Sequence, residues 1–124
     1  MIRILLVDDH EVVRKGLKTL LDHVDGCEVC GEASNGQQGV ERALQLKPNL
    51  VLMDISMPIL NGLEATKVMR QVVPDTKIVV LTMHESAQIQ NEAKRSGAHA
   101  YLTKTCPVGE LRTTIATVCK DLTD

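Results

Sequence analysis

Short apolar runs alternate five times with longer segments whose apolar residues recur three and four positions apart. The runs Ile2–Val7, about Glu28–Ala33, Leu50–Met53, Lys77–Leu81 and Ala100–Thr103 predict strands. The first intervening segment predicts a helix from about Glu11 to His23, with Val13, Leu17, Leu20, Leu21 and Val24 on one face. Ser34-Asn35-Gly36 reads as a turn, and a second helix covers Gln37–Leu46 ahead of Pro48. The loop Ile55–Gly62 carries Pro58 and Gly62, and a third helix runs from about Leu63 to Val72 until Pro74 stops it. A fourth, about Ser86–Ser96, offers only Ala87, Ile89 and Ala93 for apolar contact, so its core stripe is thin. The fifth starts at Pro107, a residue suited to the first helical turn, and presents Leu111, Ile115, Val118 and Cys119.

Strict strand–helix alternation predicts right-handed crossovers and a parallel sheet with helices on both faces, an α/β three-layer sandwich. Leu50–Met53 is apolar throughout, as a strand buried on both faces should be. For five strands the flavodoxin-like order 2-1-3-4-5 is the natural choice, with strands one and three side by side in the centre. No linker, repeat or low-complexity tract divides the chain, so residues 1–124 are expected to form one domain. Parallel strands point their carboxyl ends to one edge, where such folds bind ligands. Four of those ends carry reactive side chains: Asp8-Asp9, Asp54, Thr82 and Lys104.

With strands one and three adjacent, Asp8, Asp9 and Asp54 converge. Carboxylates packed together raise one another's pKa, so the cluster favours a cation. An all-oxygen set, without His or Cys at matching positions, suits Mg²⁺ or Mn²⁺ rather than zinc. Lys104 adds a positive charge and Thr82 a hydroxyl, which suits phosphoryl chemistry, where positioning and charge neutralisation dominate. A carboxylate beside the metal can then act as nucleophile and become an aspartyl phosphate. Taken singly, any of these acids could merely cap a helix or solvate a loop; together, on four strand ends, they point to a site.

Composition narrows the classes further. The chain has 124 residues, 44% of them hydrophobic, and a net charge of −2. That charge offers no broad basic patch, so this stretch of chain should not grip DNA by itself. Tyr101 is the lone aromatic residue, which argues against stacking on single-stranded nucleic acid. No apolar stretch nears the ~20 residues of a membrane span, and nothing resembles a signal peptide, so a cytoplasmic location is expected. Cys27, Cys30, Cys106 and Cys119 should then be reduced thiols. Cys27-Glu28-Val29-Cys30 has CxxC spacing, but in a strand those side chains face opposite ways, so packing is the expected role.

The motifs Leu6-Val7-Asp8-Asp9-His10, Leu52-Met53-Asp54-Ile55-Ser56-Met57-Pro58 with Gly62, Val80-Leu81-Thr82 and Tyr101-Leu102-Thr103-Lys104 together resemble the receiver domain of two-component response regulators. The resemblance covers the whole chain. Asp9-His10, Val13-Arg14-Lys15-Gly16-Leu17 and Leu81-Thr82-Met83-His84 look most like the subfamily whose full-length members carry a C-terminal helix-turn-helix. It implies that Asp54 accepts the phosphoryl group of a sensor histidine kinase. It also implies that Asp8, Asp9, Asp54 and the Ser56 main-chain carbonyl hold the metal. Thr82 and Lys104 would contact the phosphoryl group, Tyr101 would turn inward as Thr82 moves, and phosphorylation could bring two copies together. The changed surface would be the fourth helix, fifth strand and fifth helix.

Three positions depart from many receivers. Met83 is larger than the usual Ala, Gly or Ser and is placed to narrow access to Asp54. His84 is either a residue that tunes acyl-phosphate hydrolysis or a solvated loop histidine. Thr105 stands where many receivers have Pro, so a trans bond or a rearranged loop is expected there. Two rivals are weaker. A small-molecule phosphatase of the aspartyl-phosphate type usually has a second acid two residues past the nucleophile, and that position is Ser56. A flavin module would need a Gly/Ser/Thr-rich phosphate loop where Asp8-Asp9-His10 stands. The output is open: a stand-alone receiver working through protein contacts, or part of a regulator whose helix-turn-helix reads DNA.

Overall fold

The computed structural model describes residues 1–55, 61–83 and 86–120. Its elements are β1 (Ile2–Val7), α1 (Glu11–Asp22), β2 (Cys27–Ala33), α2 (Gly36–Leu46), β3 (Leu50–Asp54), α3 (Gly62–Val72), β4 (Lys77–Thr82), α4 (Ala87–Ser96), β5 (Ala100–Thr103) and α5 (Val108–Val118). The strands form one five-stranded sheet in the order β2-β1-β3-β4-β5, every neighbouring pair parallel. Alternation and topology are therefore those the hydrophobic pattern predicts.

Small boundary differences have local causes. Asn35, Asn61 and Ser86 each accept a hydrogen bond from the backbone N–H three residues on, the N-cap arrangement that starts α2, α3 and α4. Gly36 thus belongs to the helix rather than to a turn. Pro107 is itself the N-cap of α5, with φ −61° and ψ 149°, so helical geometry begins one residue later than expected. β3 and β4 each run one residue further than their apolar stretches, taking in Asp54 and Thr82. Between Ile4 and Leu5 the pairing partner jumps from Val29 to Gly31, leaving Cys30 as the extra residue of a bulge. Cys27 is buried and Cys30 half-buried, and both thiols are free.

The sheet separates two apolar layers. Ile4, Leu6, Leu50, Leu52, Leu81 and Leu102 face α1 and α5, meeting Leu21, Leu111 and Ile115. Leu5, Val7, Val51, Met53 and Ile78 face α2 and α3, meeting Ala43, Ala65 and Met69. At roughly 1.5–3 kcal/mol for each fully buried Leu, Ile or Met side chain, these layers are what fix the strand positions. α4 contributes little: its buried residues are Ala93 and Ser96. No helix among the described residues is long and apolar enough to cross a membrane.

Candidate functional site

The register brings the carboxyl ends together. Val7 pairs with Met53, Asp54 with Leu81, and Thr82 with Thr103, so the residues just past β1 and β5 flank the ends of β3 and β4. Asp8 extends β1 by donating its N–H to the Ala33 carbonyl at 3.0 Å. Lys104 likewise extends β5 by donating its N–H to the Thr82 carbonyl at 2.7 Å. The Lys104–Thr105 peptide is trans, as the absence of proline predicts. These main-chain bonds fix where the side chains leave the sheet.

Lys104 Nζ lies 2.8 Å from Asp8 Oδ2 and 3.2 Å from Asp54 Oδ1. All three side chains are buried, and Thr82 is buried beside them. Burial lifts the Asp54 carboxyl above the ordinary aspartate range, and the neighbouring Asp8 charge adds to the lift. Lys104 offsets only part of it. For Lys104 itself burial pushes downward, yet the two carboxylates outweigh it and hold the ammonium above its usual range. The site thus keeps its cation while Asp54 remains short of positive charge.

Ligand atoms of Asp8, Asp9, His10 and Asp54 all lie within 4.8 Å of one another. Asp54 Oδ2 and Asp9 Oδ1 are buried atoms with no hydrogen-bond partner among the described residues. His10 Nδ1 approaches Asp9 Oδ1 to 3.0 Å, but without hydrogen-bond geometry. Buried polar atoms are normally satisfied, so an acidic cluster holding two carboxylate oxygens without hydrogen-bond partners fits a bound cation. The expected Asp8, Asp9 and Asp54 do come together. Ser56, the expected main-chain ligand, lies outside the described residues, as does His84.

Residues 4–116 match the model of the response regulator receiver domain. The chain belongs to that family. It is 40% identical over 111 residues to the response regulator GacA of Pseudomonas viridiflava, covering 90% of this chain and 52% of that protein. It is 42% identical over 120 residues to the transcriptional regulatory protein LiaR of Bacillus subtilis, covering 97% of this chain and 57% of LiaR. The receiver thus spans about half the length of these curated relatives. Among solved structures, a LuxR-family response regulator from Aurantimonas sp. SI85-9A1 superposes with a TM-score of 0.92 at 32% identity, covering 98% of this chain and 86% of that one. The response regulator domain of Thermotoga maritima CheB gives 0.90 at 34%, covering 97% of each. A receiver is a signalling module rather than an enzyme, and the phosphatase and flavin readings fall away.

The remaining candidates sit at the rim. Tyr101 of β5 is half-buried and lines a groove with Ser86, Ala87, Gln90 and Glu110, between the start of α4 and α5. Met83 is 61% exposed. Two residues of the receiver escaped the sequence reading. His10 stands inside the acidic cluster, contrary to the expectation that no His occupies a matching position. Arg14, 16% exposed, donates from Nη1 to the Asp8 carbonyl at 2.6 Å and pairs through Nε with Glu32 at 3.3 Å. It ties the first turn of α1 to the ends of β1 and β2. Both residues lie in motifs that carry the family resemblance, but neither spacing nor periodicity says which partners from other elements a side chain at a helix start will meet.

Proposed function

We propose that this receiver accepts a phosphoryl group on Asp54 from the phosphohistidine of a sensor histidine kinase. The carrying observation is Asp54 Oδ2: buried at the end of the central strand and without a donor among the described residues. A carboxylate oxygen of Asp54 attacks phosphorus, and the P–O bond forms as the P–N bond breaks. The bonding pair returns to the imidazole nitrogen, which remains protonated on its other nitrogen or takes up a proton from water. Lys104, already 3.2 Å from Asp54 Oδ1, offsets charge on the phosphoryl oxygens. Thr82 supplies a hydroxyl donor to the transferred group, and Tyr101 follows it inward. Asp8, Asp9, Asp54 and the Ser56 main-chain carbonyl would hold Mg²⁺ or Mn²⁺, whose charge neutralises the phosphoryl oxygens.

The test is incubation with acetyl phosphate and Mg²⁺ followed by intact-protein mass. Wild type should gain one phosphoryl adduct and Asp54→Asn none; an adduct that persists in Asp54→Asn overturns the assignment.

The output proposed is transcriptional control in the cytoplasm through a C-terminal helix-turn-helix domain, with homodimerisation on phosphorylation. Similarity to LiaR, a transcriptional regulatory protein, supports it. DNA contact would belong to that domain, since the net charge of −2 gives the receiver no broad basic face. The coding sequence downstream of Asp124 decides: an in-frame helix-turn-helix supports this reading, and a stop codon favours a receiver acting through protein contacts alone.

A further inference from the structure

We infer that His10 ligates the divalent cation of this site through Nδ1, giving it a nitrogen donor among the carboxylate oxygens. The inference rests on the reading that the acidic cluster holds such an ion.

His10 is the N-cap of α1, and its backbone is fixed on both sides. Its N–H donates to Asp8 Oδ1 at 2.8 Å, and its carbonyl accepts the first helical bond, from Arg14, at 3.0 Å. That places Nδ1 3.0 Å from Asp9 Oδ1 and 3.4 Å from Asp8 Oδ1. Donors about 2.1 Å from an octahedral ion stand about 3 Å apart on adjacent corners, so Nδ1 and Asp9 Oδ1 have the separation of neighbouring ligands. The independent sign of a ligand is Asp54, whose side chain is 5% exposed and whose Oδ2 has no partner among the described residues. A ring nitrogen of His10 shares with that carboxylate the same cluster of donor atoms within 4.8 Å. With 66% of its side chain exposed, His10 can adjust its ring to an arriving ion without disturbing the core.

The competing account makes His10 a surface cation that pairs with Asp8 and Asp9. The two accounts differ in sign. A ligand strengthens metal binding, whereas a paired imidazolium competes with the metal. They differ also in preference, because carboxylate and water suit Mg²⁺ while imidazole favours transition ions. A ligating His10 therefore tilts this receiver toward Mn²⁺.

Electron paramagnetic resonance of Mn²⁺ added to the purified receiver separates them. Continuous-wave titration counts bound ions, and pulsed echo modulation detects a coordinated ¹⁴N. Wild type should bind Mn²⁺ with nitrogen modulation. His10→Ala should bind without it, with Mn²⁺ affinity at least about tenfold weaker, because removing even an outer-shell partner of a ligand costs that much. Mg²⁺ affinity, read by displacement of Mn²⁺, should fall less. Bound Mn²⁺ without nitrogen modulation in wild type overturns the inference, as does unchanged or tighter binding by His10→Ala. No bound Mn²⁺ at all would instead remove the acidic-cluster reading beneath it.

Discussion

Asp54 occupies a place that does not suit its charge. Burial and Asp8 both oppose ionisation, and Lys104, shared with Asp8, relieves this only in part. The folded protein therefore takes up the Asp54 proton at a higher pH than the unfolded chain does. As pH falls from the raised value toward the ordinary aspartate value, this group adds stability; above the raised value its charge subtracts from it. Asp54→Asn should accordingly be more stable than wild type near neutral pH in metal-free buffer. Its advantage should shrink as pH falls through that window. Denaturant midpoints in the presence of a chelator measure both effects. A variant less stable at neutral pH would mean that the pair with Lys104 outweighs the crowding. Stability is given up at a residue whose Oδ2 has no hydrogen-bond partner among the described residues.

Between elements, the return from β3 to α3 depends on the absence of a side chain. The Gly62 N–H donates to the Ile55 carbonyl at 2.9 Å, and a β-carbon on Gly62 would overlap the Asp54 carbonyl oxygen. Space is the reason for glycine here. Gly62→Ala should displace the main chain of Asp54, lowering stability by about 1–3 kcal/mol and slowing adduct formation from acetyl phosphate. Equal rates in the two proteins would show that the loop yields without moving the carboxylate. α4 stands at the other extreme. With Ala93 and Ser96 as its buried residues, it is among the least anchored helices, and elements with few buried contacts open most easily. That thinness was legible in the sequence, because it is a property of one helix's own apolar spacing. The course of Arg14 was not, since its partners, the Asp8 carbonyl and Glu32, come from other elements.

Across the whole molecule, periodicity and chirality account for the part that was legible. Alternating apolar runs specify strands, helices and a parallel sheet, and the flavodoxin-like order of five such strands then lays Asp8 beside Asp54. The bulge at Cys30 and the placement of His10 beside the acidic cluster are illegible because they depend on the final strand pairing and on main-chain bonds around Asp8. The same convergence couples the site to global stability. A cation held between the end of β1 and β3 would bind the folded state and not the separated strands of the unfolded one. Mg²⁺ at 100 times its dissociation constant should raise the unfolding free energy of wild type by about 2.7 kcal/mol. Thermal melts with and without Mg²⁺ should show an upward shift in wild type and a reduced one in Asp54→Asn. Equal shifts in both would place the ion elsewhere.

The groove between α4 and α5 has one further property. Without Trp or Phe anywhere in the chain, Tyr101 is its sole ultraviolet fluorophore. That ring lines the groove formed with Ser86, Gln90 and Glu110, on the surface expected to change with phosphorylation. The protein's intrinsic emission is thus a single-site optical signal from that groove, available without any label.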